Sequence, residues 1–433
     1  MNIMKKTALG STIAFGALMA ANPAFAQSAQ DLQQQVDALQ NQVNQMKAAL
    51  DQTVENTNGD PVKVKWEPAP SFKSPDGLFE MNVRGRLFVD FAQATDKNNT
   101  MDVSASEIRQ ARLGVGGVAW KDVKYQVEVE FGGTGGAKLT DAYIQWSKPV
   151  SLKIGHFKPA VSLEENTSET NMSTQERASF TDAFGFSRNV GIQASYGSNG
   201  FGLAVGAFRG KQSSTEDNEG SILATRAYYG AKEDALAYHF GASVRVRNGG
   251  DRTFSYKQFA ISHLTENFLS TGTIAQDDVF WGVEGAVVYD VFSLQGEYGQ
   301  LKADMIDPTV SDDPTFTGGY ISASWFVTGE QRSYDASKGS FGSVTPKASV
   351  FEGGAGAWQL VGRYDFIDLS DKDIFGGKQQ SYIFGVNWLL NKHTRMQLNY
   401  SHSKIRDALN VSANGADGAN SVNAFALRAH VSF

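Results

Sequence analysis

Arginines spaced two apart are the side chains of this sequence best suited to chemistry on a ligand: Arg84 with Arg86, and Arg245 with Arg247. A guanidinium keeps its charge at every physiological pH and presents a planar fork of donors matched to carboxylate or phosphate oxygens. Such pairs therefore point to anion recognition. Both sit in stretches that alternate apolar and polar residues. Met81, Val83, Leu87, Val89 and Phe91 oppose Asn82, Arg84, Arg86 and Asp90. Leu236, Tyr238, Phe240, Ala242, Val244 and Val246 likewise oppose Arg245 and Arg247. On a strand rising ~3.4 Å per residue, the members of a pair stand about 7 Å apart on one face.

Phasing the other alternating stretches in the same way places Arg112, Arg226, Arg363, Arg395 and Arg428 on the polar face, with Lys124 and Lys153. These are candidate anion-binding residues of a lumen. Glu128, Glu130, Asp141, Glu284, Glu297 and Asp365 share that face. Two readings follow: a wall that attracts anions, or a ladder of opposed charges that only keeps the interior wet.

Enzymatic chemistry is not expected. Gly132, Gly133, Gly135 and Gly136 lack phosphate-loop spacing and a following Lys-Ser/Thr. The six histidines show no paired metal-ligand spacing, so neither a metal nor a cofactor is expected. No serine, histidine and polar orienter form a lipase-like set. A net charge of -7 argues against a nucleic-acid partner, which would need a basic face.

The alternation defines the elements that position these residues. It predicts strands near 79–92, 106–119, 122–132, 138–147, 150–155, 188–197, 200–209 and 221–230. A second set is predicted near 235–248, 279–289, 291–301, 317–328, 356–368, 379–390, 393–403 and 420–433. Many are long enough to cross a bilayer, and an even number closes with both ends on one side. The fold class expected is all-β, a 16-stranded antiparallel transmembrane barrel. An arginine facing lipid at mid-depth costs roughly 2–4 kcal/mol, which forces the arginines inward. Pro149, Pro159, Pro308, Pro314 and Pro346 all fall in connections. The connection 156–187 is the candidate constriction loop, with Lys158, Arg177 and the adjoining Arg188 as its basic residues beside Glu164, Glu165, Glu169 and Glu176. Residues 329–355 make an overlong connection on the short-turn side, the place where a slipped pair of strands is expected.

Ahead of the barrel (78–433) three segments are expected. Residues 1–26 read as a signal peptide: Lys5 and Lys6, an apolar run, then Ala24-Phe25-Ala26. Residues 27–60 read as a coiled-coil helix with Leu32, Val36, Leu39, Val43, Met46 and Leu50 four and three apart. Residues 61–77, rich in proline, read as a linker. The chain has no cysteine, and a closed barrel supplies the stability that disulfides would otherwise add.

GHFKPAVSLEE from Gly155, ERASFTDAFGFSRNVG from Glu176, GGYISASWFVTGEQRSY from Gly318, GAWQLVGRYDFIDLSD from Gly356 and GVNWLLNKHTRMQLNYSH from Gly385 together resemble the phosphate-selective porin O/P family. The resemblance implies a homotrimer of such barrels in a Gram-negative outer membrane, a coiled coil in the periplasm, and passage of anions such as phosphate along wall arginines. Phe433, a terminal aromatic on an alternating strand, looks like the signal read by barrel assembly machinery. The function expected is diffusion of small hydrophilic solutes with anions favoured. The alternatives are a non-selective pore, or a barrel that anchors a periplasmic tether.

Overall fold

The computed structural model describes residues 34, 36–48, 62–66, 68–133, 136–210 and 218–433. The expected signal peptide, residues 1–26, lies outside them. The chain divides into two units, 1–63 and 64–433. In the first, residues 36–48 are helical, and the seam residues Val36, Leu39, Val43 and Met46 are all exposed.

The second unit is the barrel. Its strands are β1 (Glu80–Asp96), β2 (Asp102–Ala119), β3 (Val123–Glu130), β4 (Lys138–Trp146), β5 (Ser151–Phe157), β6 (Asn189–Ser198), β7 (Phe201–Phe208) and β8 (Ser221–Glu233). Then come β9 (Leu236–Asn248), β10 (Asn267–Tyr289), β11 (Phe292–Met305), β12 (Thr315–Phe326), β13 (Ala357–Asp371), β14 (Ile374–Leu389), β15 (Thr394–Ala408) and β16 (Asn420–Ser432). Each pairs antiparallel with the next, and β16 returns to β1 with Val422 opposite Asp96 and Ser432 opposite Arg86. Closure satisfies the backbone without leaving an edge, which is what permits strands to cross a bilayer.

Side-chain alternation gives the wall two chemistries. Leu87, Phe91, Phe240, Val244, Val283, Phe384 and Leu398 are exposed on the outer face, as a bilayer-facing surface requires. Aromatic pairs mark the short-turn end: Phe292 with Trp325 at 6.0 Å, Trp358 with Trp388 at 5.1 Å, Phe79 with Trp120 at 5.6 Å. Amphipathic rings at that level match a membrane interface.

Sequence and structure differ at three places. The expected slip near 329–355 does not occur. That connection instead turns inward, carrying a small hairpin of Tyr334–Asp335 with Ser340–Phe341. Tyr334 and Phe341 are buried against Leu163, Ala237, Ala286 and Val288, so its length serves lumen packing. Strand β10 starts at Asn267 rather than near 279, because its first part pairs with an extra strand, Phe254–Phe259. Within the expected linker, Pro70–Lys73 forms a strand on β1, with Phe72 opposite Met81.

Candidate functional site

The constriction loop, residues 158–188, crosses the interior and is seated by wall carboxylates. Its helix α1 (Leu163–Asn166) is capped by Ser162, whose hydroxyl accepts from the Glu165 N–H at 3.2 Å. Glu297 of β11 accepts from the N–H groups of Leu163 and Glu164 at 2.9 and 2.7 Å. Helix α2 (Ser179–Ala183) is met by Asp365 of β13, which accepts from the Ser179 N–H at 3.2 Å. Unpaired amides at a helix start are natural seats for carboxylates. Glu164 holds the two helices together: one oxygen accepts from the Ala178 N–H at 2.6 Å and the other meets Arg363. Phe180, Phe184 and Phe186 of the loop pack on Phe280 of β10. The two helices therefore lean on β10, β11 and β13, while the stretch 169–175 bonds β2, β15 and β16 on the other wall.

Several expected lumen residues are consumed in this anchoring. Arg245 and Arg247 both face inward, yet both pair with the fully buried Asp278. Tyr256 donates to the same carboxylate at 2.9 Å, and Arg245 also donates to the Phe184 carbonyl at 2.9 Å. The two guanidiniums thus do not stand open as a pair of anion donors. Arg226 pairs with Glu284 at 2.6 Å and donates to the Gly339 carbonyl at 2.7 Å, holding the inward hairpin. His239 bridges Glu284 at 2.8 Å and the Tyr334 hydroxyl at 2.7 Å. Arg363 is held by Glu164 over the Tyr320 ring.

Two of the interior cavities are lined by β1 or β2 together with β15 or β16. The constriction-loop segment 168–173 separates them. Glu169 and Met172 line the cavity toward the long-loop end, while Ser168, Thr170, Asn171 and Ser173 line the one toward the short-turn end. The loop-side cavity, 250 Å³, has mixed charge: Arg109, Lys158, Arg177, Arg188 and Arg428 against Glu165, Glu169, Glu176 and Asp182. Most of these basic groups are paired: Lys158 and Arg177 meet Glu165, and Arg188 meets Asp141 at 2.8 Å. Arg428 takes Asp90 at 2.6 Å and Glu176 at 2.9 Å. Between the cavities, Arg86 and Arg112 share Glu128, each at 3.3 Å, and Arg112 also holds Glu130 at 2.6 Å. Burial would raise the carboxyl of Glu169 in the loop. Arg112, Arg177, Lys158 and Arg86 outweigh that effect and hold it well below the usual carboxylate range.

The turn-side cavity, 320 Å³, is different. Arg84, Arg86, Arg332, Lys392, His393, Arg395 and His430 line it, with Glu128 as its one acidic side chain. Arg84 donates to Gln126 at 2.9 Å and has no acidic partner among the described residues. Arg395 donates to the Met172 carbonyl at 2.9 Å, while its Nε and Nη2 are buried without a hydrogen-bond partner. Arg332 rests on Gln295 and the Phe341 ring. Lys124 and Lys153 stand near the turn-side starts of β3 and β5, and Lys153 lies 4.5 Å from the Tyr143 ring. Neither lysine makes an ion pair within 4.0 Å among the described residues, although Asp141 acts on Lys153 from farther away. Arg109, Arg332 and Lys392 were not singled out from the sequence. Arg332 had one available signal, a basic residue in a turn-side connection too long to be only a turn.

A family model described as phosphate-selective porin O and P matches residues 79–433. An uncharacterized protein of Caulobacter vibrioides is 31% identical over 363 residues, covering 78% of this chain and 71% of that one. Porin O of Pseudomonas aeruginosa is 26% identical over 399 residues, covering 80% and 88%. Among solved structures, the anion-selective porin from Comamonas acidovorans aligns with a TM-score of 0.55 at 13% identity, covering 82% of this chain and all (100%) of that one. The outer membrane channel DcaP of Acinetobacter baumannii aligns at 0.54 and 16% identity, covering 84% and 99%. These structural likenesses concern the fold. With a closed barrel, an interior narrowed by inserted segments and a family match across the whole barrel, the chain belongs to the phosphate-selective porin O and P family of Gram-negative outer-membrane channels.

Proposed function

We propose that this porin passes small hydrophilic solutes and favours anions, phosphate among them, because of its turn-side cavity. The observation that carries the reading is the sorting of charge along the lumen. Wall acids that would cancel the arginines are spent on seating loops: Glu297 and Asp365 on helix starts, Asp278 and Glu284 on buried arginines. Cations lacking a carboxylate, Arg84, Lys124, Lys153, Arg332 and Arg395, gather toward the turn side. Unneutralised charge in a narrow, low-dielectric opening concentrates counter-ions there. The mixed-charge reading describes the loop-side cavity alone. The family description as phosphate-selective and the anion-selective Comamonas neighbour favour the same direction.

The mature protein begins near Gln27 in this reading, after signal cleavage, and residues 61–77 lead from the helical segment to the barrel. The exposed seam of Val36, Leu39, Val43 and Met46 suits a helix that pairs with copies of itself, which supports a homotrimer with a periplasmic coiled coil. Phe433 serves recognition by the barrel assembly machinery, and lipid covers the outer apolar face. The test is a reversal potential for single channels across a salt gradient. A potential of the sign set by the anion supports the proposal, and one set by the cation defeats it.

A further inference from the structure

Segment 168–173, which divides the two cavities, is fastened unequally. Toward β14 and β15 its main chain is held: Asn387 donates to the Ser173 carbonyl at 2.8 Å and Arg395 to the Met172 carbonyl at 2.9 Å. Toward β1 and β2, every hydrogen bond and ion pair among the described residues comes from one side chain, Glu169. Its Oε2 accepts from Gln110 and lies 3.7 Å from Arg86 and 3.8 Å from Arg112. Its Oε1 lies 4.0 Å from Arg177 of the loop itself. These three guanidinium contacts are longer than hydrogen bonds. Glu130, a wall acid of the same cluster, is held closer, by Arg112 at 2.6 Å and by the Ala111 and Gly132 N–H groups at 2.7 and 2.9 Å. Arg86 lines the turn-side cavity and Glu169 the loop-side one, so the two cavities meet at this contact.

We propose that Glu169 is a tethered anion that gates the pore. Its carboxylate rests where a permeating anion binds, against Arg86, Arg112 and Gln110, and a small anion crosses from one cavity to the other by exchanging with it. The inference rests on the anion preference proposed above. Charge balance favours exchange over simple opening. Arg86, Arg112, Arg177 and Lys158 offset Glu128, Glu130, Glu165 and Glu169, four against four. Withdrawal of Glu169 leaves one positive charge in excess, and an incoming monoanion restores neutrality. A cation entering the same gap meets that excess charge and is repelled. Rotation about the side-chain torsions of one glutamate moves the carboxylate with the main chain in place, and the 250 Å³ loop-side cavity gives it room. Oxyanions suit the vacated place best, since guanidinium donors fit them and Glu169 is itself one.

The test is single-channel conductance of the folded full chain against potassium acetate concentration, for the parent, Glu169→Gln and Glu130→Gln. The last removes the same charge from the same cluster, but from the wall. Without its tethered competitor, Glu169→Gln should half-saturate at an acetate concentration lower by about tenfold, because an intramolecular competitor acts at a high effective concentration. Glu130→Gln should shift far less. Amide exchange over residues 163–183 should match the parent in Glu169→Gln, since glutamine keeps the chain length and can still accept from Gln110. Heat-modifiable mobility confirms that each variant is a folded barrel. Equal shifts in the two variants would reduce Glu169 to one fixed charge among several and overturn the gate. No shift in Glu169→Gln, or a shift accompanied by faster exchange, would overturn it too. A parent that prefers cations would instead defeat the anion reading, and the gate with it.

Discussion

Replacing Glu164 by alanine should unseat the constriction loop without unfolding the barrel. Glu164 and Arg363 both have side chains only 3% exposed. Removing one member of a buried ion pair costs ~3–5 kcal/mol, because the other charge is left uncompensated. The same change strands the Ala178 N–H, a further ~1–3 kcal/mol. The ladders joining β1 to β16 are untouched, so the penalty falls on the loop's closed state. Even ~3 kcal/mol, at ~1.4 kcal/mol per tenfold, raises local opening by about a hundredfold. Amide hydrogen exchange over residues 163–183 in the folded protein should accelerate by that factor, and single-channel conductance should rise or become noisier. Adding Arg363→Met removes the stranded charge and should recover part of the protection. If exchange over 163–183 is unchanged in a folded Glu164→Ala barrel, this pair does not seat the loop.

Three further outcomes follow from the same geometry. Arg245→Ala/Arg247→Ala strips the buried Asp278 of both guanidiniums; it should lower thermal stability by ~3–5 kcal/mol and leave the anion-to-cation permeability ratio nearly unchanged, and the opposite pattern would return these arginines to the pore. Deleting Phe433 should lower the amount of heat-modifiable barrel in the outer membrane, since its N–H and C=O each bond Gly85 at 2.9 Å and its ring lies where a Gly85 Cβ would be 2.5 Å away; normal barrel levels would count against it. A chain lacking residues 27–60 should crosslink as trimers less efficiently than the parent, and unchanged crosslinking would assign assembly to the barrel walls alone.

The barrel was legible because period-two alternation is local: all sixteen strands, and the inward phase of Arg84, Arg226, Arg245 and Arg363, follow from counting along the chain. What each charge meets is not local. Asp278 lies opposite Arg247 in the β9–β10 register, but β10 was expected to begin one residue later, so the partner of both arginines was missed. Glu297 and Asp365 read as charges on a wet wall, whereas they meet amides of a loop distant in sequence. The inward turn of residues 329–355 has no periodic signature, so its Arg332 passed unnoticed. Glu169 meets Arg86 and Arg112 only through folding of the constriction loop into the closed barrel, and spacing along the chain carries no trace of that meeting.

The proposed ionic preference rests on cations without carboxylate partners at the turn side. Reversal potentials across a KCl gradient, for the parent and Arg84→Ala/Arg395→Ala, test it most directly. The Debye length grows from ~10 Å at 0.1 M to ~30 Å at 0.01 M, so the contribution of fixed charge is largest in dilute salt. The parent should be anion-selective, and the double variant should have a lower anion-to-cation permeability ratio, with the larger drop in dilute salt. A parent that prefers cations, or a variant whose ratio equals the parent's at both salt levels, would contradict it.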